Sequence, residues 1–307
     1  MAISTPSDTG PGPEAALGAN EAGLGARSLG RAVVETFLEN RLALIGLGVI
    51  VFMVLFCFLG PVIWHTNQVA TNFSDANHPP GPGHPLGTDQ AGYDVLGRLM
   101  VGGQSSLEIG FAVAIVATLI GSSWGAIAGF AGGLVDAAMM RIVDALLSIP
   151  TLVLLLILVT IIRPSVPVLI LILGVQSWLI TSRLVRGEAL TIRTRDYVQA
   201  ARVVGARRRR IVYRHILPNA LGVMVVQSAF EVANAILAVA NLSFLGLGIP
   251  PPHADWGSIL SSGLQYLYDG YWWLIYPAGI AIVLTVVAFY SIGNALRDSL
   301  DARLQSR

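Results

Sequence analysis

The sequence predicts an all-α integral membrane protein: six transmembrane helices with one amphipathic helix in a cytoplasmic loop. Three observations carry this. Hydrophobic residues make up 54% of the chain and charged residues 12%, where a soluble domain carries about 25% charged. Apolar runs near the roughly 20 residues that a spanning helix needs recur along the chain. The arginines, finally, fall almost entirely into alternate connecting segments.

The elements follow in order. Residues 1–27 are rich in Gly, Pro, Ala and Ser without apolar periodicity and read as a disordered start to a cytoplasmic tail, 1–40. No apolar core stands at the extreme N-terminus, so the tail is not read as a cleaved signal peptide. The first span is 41–64, followed by an extracytoplasmic loop, 65–106, rich in Pro, Gly and His. The core, 107–298, holds five more spans at 109–135, 145–162, 166–182, 220–245 and 271–296, with an inner loop at 183–217 and a short C-terminal tail, 299–307. Six spans put both termini on one side. With that side cytoplasmic, seventeen of the nineteen arginines lie inside and only Arg98 and Arg163 lie outside, as the positive-inside rule requires. Trp64, Trp272 and Trp273 fall near span ends, where amphipathic rings anchor at the interface. Gly121, Gly125, Gly129 and Gly133 recur every fourth residue in the second span and predict a smooth face for close helix packing.

Several chemistries are excluded. All nineteen basic residues are Arg, so the chain has neither the lysine of a P-loop nor that of a Schiff base. Cys57 is the single cysteine, which rules out an intrachain disulfide and a cysteine zinc motif. His65, His78, His84 and His253 form no close ligand cluster with Cys or Asp, so no metal site is expected. No nucleophile–base spacing stands out, and no catalytic residue is assigned. The basic run Arg207, Arg208, Arg209 and Arg210 sits between two spans without a recognition fold and reads as a positive-inside patch, with no nucleic-acid partner. Asp136 and Asp144 flank Arg141 on an inner segment and read as helix-end charges or contacts to a cytoplasmic partner. Glu231 is the carboxylate placed well inside a span, open to two readings: it lines a translocation pathway, or it is structurally paired.

In the inner loop, Tyr197, Ala200, Ala201 and Val204 stand at i, i+3, i+4 and i+7, one face of a short amphipathic helix. Asp196 and Gln199 fall elsewhere around it, and Gly205 ends it. Gln199-Ala200-Ala201, Gly205 and then Ile216-Leu217-Pro218 resemble the EAA loop of ABC importer permeases, with Gln199 where that family usually has Glu. His84-Pro85-Leu86-Gly87-Thr88-Asp89, Gly92, Asp94-Val95-Leu96 and Arg98 resemble the outer motif of the second, C-type permease subunit of dipeptide, oligopeptide and nickel importers. Tyr93 and Gln104 stand where that motif often has Arg. Leu242-Ser243-Phe244-Leu245-Gly246-Leu247-Gly248, Pro251-Pro252 and Trp256-Gly257 match the end of the fifth span, with Val239 replacing a frequent Glu. The resemblance covers about residues 30–303.

It implies a type I importer permease in a bacterial plasma membrane, multi-pass, with both termini cytoplasmic. The implied partners are a homologous second permease, two P-loop ATPase subunits that hold ATP and Mg, and an extracytoplasmic solute-binding protein. This chain would bind no cofactor and catalyse no bond chemistry. Asp196, Tyr197, Gln199, Ala200, Ala201, Val204, Gly205, Leu217 and Pro218 would couple to the ATPases. His84, Asp89, Asp94 and Trp256 would meet the binding protein, and Glu231 would line the path. Peptide is the implied cargo, with nickel or haem as alternatives within the class. An ATPase-independent secondary carrier is the alternative outside it.

Overall fold

The computed structural model describes residues 37–66, 68 and 70–305, with side chains through residue 300; the tail 1–27 lies outside the described residues. Helix α1 (Arg41–Ile63) starts where Asn40 Oδ1 accepts the N–H groups of Leu42 and Ala43 at 3.0 and 3.2 Å, pairing donors that a helix start leaves open. Its 23 residues span about 34 Å, enough to cross the hydrocarbon layer.

Helix α2 (Val95–Ala131) begins a dozen residues before the expected end of the outer loop. Asp94 is the reason: its carboxylate accepts the Gly97 N–H at 2.8 Å and caps the helix. The loop therefore ends at Asp94, and the second span stops at Ala131, where Gly132 takes φ +66°. The expected third span, 145–162, is broken: it takes in only the end of α3 (Gly133–Leu147) and then α4 (Thr151–Ile161), and the two helices meet at 76°. Pro150 stands at the break; it lacks an N–H and disfavours helical geometry in the residue before it.

Helix α5 (Val166–Ile192) runs ten residues past the expected end of the fourth span. The short helix α6 (Asp196–Val203) follows, then α7 (Arg208–Ile211), a π-type turn (Val212–Ile216) and α8 (Leu217–Phe244), the last three forming one continuous rod that starts basic and becomes apolar within α8. Helix α9 (Trp256–Gly263) opens with a capping box between Asp255 and Ser258. A turn at Trp272–Leu274 leads into α10 (Tyr276–Gln305), so the expected C-terminal tail is helical as far as Gln305. Five described helices are long and apolar enough to cross a membrane, and the bent α3–α4 pair together has the length and composition of a sixth.

In the bundle, α8 packs against α2, α5 and α10, and α1 lies against both α2 and α10. The most extensive contact joins α2 to α5. There Gly121, Gly125 and Gly129 face Trp178, Thr181, Ser182, Arg186 and Ala189, and a Cβ on Gly121 would stand 2.6 Å from the Trp178 carbonyl. Gly133, the fourth of the expected ladder, lies beyond the helix end at φ +55° with nothing near it. The seam thus uses three glycines. Val substituted at Gly125 meets the Ser182 backbone and is expected to cost about 2–3 kcal/mol by overpacking. Gly187→Ala, on an open face of α5, serves as the control. Thermal unfolding in detergent should separate the two variants.

Candidate functional site

Two ends of the bundle carry the motif residues. At one end, α6 is pinned by its inner side. Val198 is fully buried among Phe130, Ile192, Ile211, Val212 and Ile216. The Arg202 guanidinium lies 4.7 Å from the Phe130 ring, a cation–π contact. Arg193 donates to the Gly129 carbonyl at 3.0 Å, tying the end of α5 to the end of α2. The α6 side read from the sequence as its apolar face points the other way. Tyr197 and Ala200 are exposed, Ala201 is half-buried and Val204 is 87% exposed.

Together with Gly205, Arg207, Arg210, Arg214 and His215, these residues line an open groove of about 930 Å³. Gly205 takes φ +83°, and the Ala206 N–H reaches back to the Ala201 carbonyl at 3.0 Å. This is a glycine-closed helix end, and it turns the chain toward the arginines. Asp196 and Gln199 are exposed on the helix but outside the groove lining. Leu217 packs against the cluster beneath, and Pro218 sits exposed in the first turn of α8. The Val198–Arg202 anchor escaped the periodicity reading because α6 presents apolar residues on two sides.

Beside this end, Arg186 makes a bidentate pair with Asp136, Nε to Oδ1 at 2.5 Å and a terminal nitrogen to Oδ2 at 2.7 Å. Arg183 pairs with Asp144 at 2.5 Å. Both carboxylates of α3 are thus held by α5, and Arg141 between them pairs with neither.

At the opposite end, the outer-loop motif is a structural knot. Asp94 is 2% exposed. Besides capping α2, it accepts the Trp64 indole N–H at 3.0 Å and meets His84 Nδ1 at 3.1 Å. Asp89 accepts the N–H groups of Ala91 and Tyr93, both at 2.9 Å, and burial pushes its carboxyl above the ordinary range. Trp256 is 1% exposed and donates to the Leu99 carbonyl at 2.9 Å. Asp94 and Trp256, expected as contacts to a binding protein, are therefore interior residues that hold the loop, whereas His84 keeps an exposed edge. Trp64 and Trp273 are likewise engaged inside the protein, Trp273 donating to the Thr88 carbonyl at 3.3 Å, and Trp272 alone of the three is exposed. Among the positions that depart from the family pattern, Tyr93 lies beneath Arg98 at 4.5 Å, Gln104 donates to the Cys57 carbonyl at 2.8 Å, and Val239 is buried against α2, α4 and α5.

Glu231 lies buried in α8, 2% exposed, and Gln227 one turn earlier donates to it at 2.8 Å. Glu231 is thus hydrogen-bonded within its own helix. A second membrane-level carboxylate, Glu108, had been hidden by the misplaced start of α2. The Gln104–Cys57 bond and the shared cluster of Leu107 with Met53 set Glu108 level with the middle of α1, about 15 Å from either end. It is exposed on the surface of this chain, and at that depth an ionisable group calls for a polar partner or an aqueous path. The Asp94 cap was the signal that could have located it.

Five long apolar helices, one bent pair, an outward-facing short helix at one end and a tied loop at the other define a multi-pass membrane protein. The comparisons agree. Residues 121–306 match the family described as binding-protein-dependent transport system inner membrane component, and residues 28–80 match the N-terminal TM domain of oligopeptide transport permease C. The chain belongs to that family of non-catalytic ABC permease subunits, in its C-type peptide branch. It is 38% identical over 278 residues to the oligopeptide transport system permease protein OppC of Bacillus subtilis, covering 91% of each chain. To the dipeptide transport system permease protein DppC of the same organism it is 37% identical over 267 residues, 87% of this chain and 83% of the relative. To the probable D,D-dipeptide transport system permease protein DdpC of Escherichia coli it is 38% identical over 255 residues, 83% and 85% of the two chains.

Asp255, outside the spans, caps α9 and accepts from Ser243 at 2.9 Å, yet burial raises its pKa. A carboxyl whose folded pKa is raised destabilises the fold when ionised. Stability at this end should therefore fall as pH rises from the unfolded value, about 3.9, through the raised one, and then level off. Asp255→Asn, which keeps the cap, should flatten that slope in thermal unfolding followed against pH.

Proposed function

We infer that this chain is one of two permease subunits of an ATP-driven importer of di- or oligopeptides. Its partners would be a homologous second permease, two P-loop ATPase subunits carrying ATP and Mg, and an extracytoplasmic solute-binding protein. The Arg distribution supports a cytoplasmic location for both termini and for α6. The relatives' names, oligopeptide and dipeptide transport system permease, support peptide as cargo.

One observation carries the coupling assignment. The apolar side of α6 faces out over a groove while its other side is pinned to the ends of α2 and α5. An apolar helix face left uncovered beside three arginines is a surface shaped for another protein. In the cycle we propose, ATP draws the ATPase subunits together and they displace α6. The Val198 and Arg202 contacts pass that displacement to α2 and α5, and the spans alternate between inward-open and outward-open. The chain supplies a path and a lever.

Val204→Asp, at an exposed position with no packing to lose, should leave the chain inserted and assembled. Uptake by the reconstituted importer is expected to fall about tenfold or more, with ATP hydrolysis no longer stimulated by loaded binding protein. Ala201→Asp should behave alike. Coupled transport at the wild-type rate in both variants would remove the coupling role from α6.

A further inference from the structure

At the end of the bundle opposite α6, a cavity of about 680 Å³ opens between the α4–α5 turn, the end of α8 and the start of α9. Its polar lining is one cation, Arg163, and four hydroxyls, Ser243, Ser258, Ser261 and Ser262, with no acidic side chain among the lining residues. Pro250 and its neighbour in the sequence form a stiff apolar wall.

Arg163 is distinct from the other arginine at this end. Arg98 is used internally: it donates to the Pro252 carbonyl at 2.8 Å, approaches Asp89 at 3.9 Å and lies over the Tyr93 ring. Arg163 is exposed and has no ion-pair or hydrogen-bond partner among the described residues. The serines are also informative. Ser243 donates to Asp255, Ser258 to the Asp255 carbonyl, Ser261 to the Phe244 carbonyl and Ser262 to the Ile259 carbonyl, at 2.8–3.2 Å. Their protons are committed to the protein, and Ser258 Oγ already accepts the Asp255 N–H at 3.0 Å; what remains for a ligand is the other oxygen lone pairs.

The cavity thus offers a guanidinium for a carboxylate and, across from it, acceptors for N–H groups. A simple inorganic anion uses the first and leaves the second unmatched. The C-terminal residue of a peptide supplies both, a carboxylate and an amide N–H. We propose that this cavity is a receiving subsite for the C-terminal carboxylate of incoming peptide, with Arg163 as its anion-binding residue. The proposal rests on the peptide-importer reading, which turns this end outward toward the binding protein.

The test is uptake by the complete transporter reconstituted with its binding protein, using one short peptide as free acid and as C-terminal amide. Arg163→Gln should lower uptake of the free acid about tenfold, the worth of a charge-assisted hydrogen bond, and Arg163→Glu should lower it further. Arg163→Lys, which keeps the charge but not the planar fork, should fall between wild type and Arg163→Gln. Uptake of the amide, where wild type transports it, should not change in Arg163→Gln. Free-acid uptake by assembled Arg163→Gln within twofold of wild type would overturn the subsite, as would an equal fall for acid and amide. A wild-type complex that imports neither peptide would instead count against the importer reading, so the two failures are told apart.

Discussion

The close crossing of α2 and α5 is the constraint on which the rest of this structure depends. Lipid gives no hydrophobic drive to bring two apolar helices together, so contact must come from packing and polar ties. Gly121, Gly125 and Gly129 let the backbones approach within the reach of a missing Cβ. Where the helices emerge, polar ties take over: Arg186 with Asp136, and Arg193 with the Gly129 carbonyl. Because α2 and α5 are locked, the cluster beneath α6, with Val198 and Arg202 against it, has fixed walls. The lever proposed for α6 would need that rigidity, since a soft joint would absorb the displacement it is meant to transmit.

The second organising feature is where charge is placed. At the α6 end, the ion pairs of Arg183 and Arg186 lie on the last turns of α5, where the helix has run past the apolar stretch. At the opposite end, Asp94 gathers a helix N-terminus, an indole N–H and an imidazole, so one buried carboxylate caps a span and closes a loop at once. The two ends are built from the same polar chemistry, but one leaves an apolar face uncovered and the other buries Tyr93, Trp256 and Trp273 in its interior.

Much of this was legible in the sequence. The spans, the glycine spacing and the short helix at Asp196 follow from hydropathy and periodicity, and the Tyr197, Ala200, Ala201 and Val204 face was read residue by residue from 3.6-residue spacing, while its coupling role came only from the family resemblance. What failed had physical causes. Residues 95–106 carry Arg98, Gln104 and three glycines, so hydropathy placed them in a loop, while the Asp94 cap and packing against α1 and α9 make them helix. The break at Pro150 was missed because apolar residues flank it on both sides. Periodicity assigned one apolar face to α6, whereas Val198 lies on another and is the one that anchors. Asp94 and Trp256 were recognisable as motif residues, but a motif does not say whether a side chain faces a partner or the interior; burial does.

The central claim is that the outward face of α6 docks the ATPase, and site-directed cross-linking in native membranes tests it most directly. Val204→Cys would carry a thiol-linked photoprobe, and Cys57, being fully buried, would not compete for it. The account predicts an adduct with a P-loop ATPase subunit from Val204→Cys and none from Ile280→Cys on the exposed side of α10. An ATPase that co-purifies with the chain yet forms no adduct from Val204→Cys, or forms it equally from both positions, would contradict it.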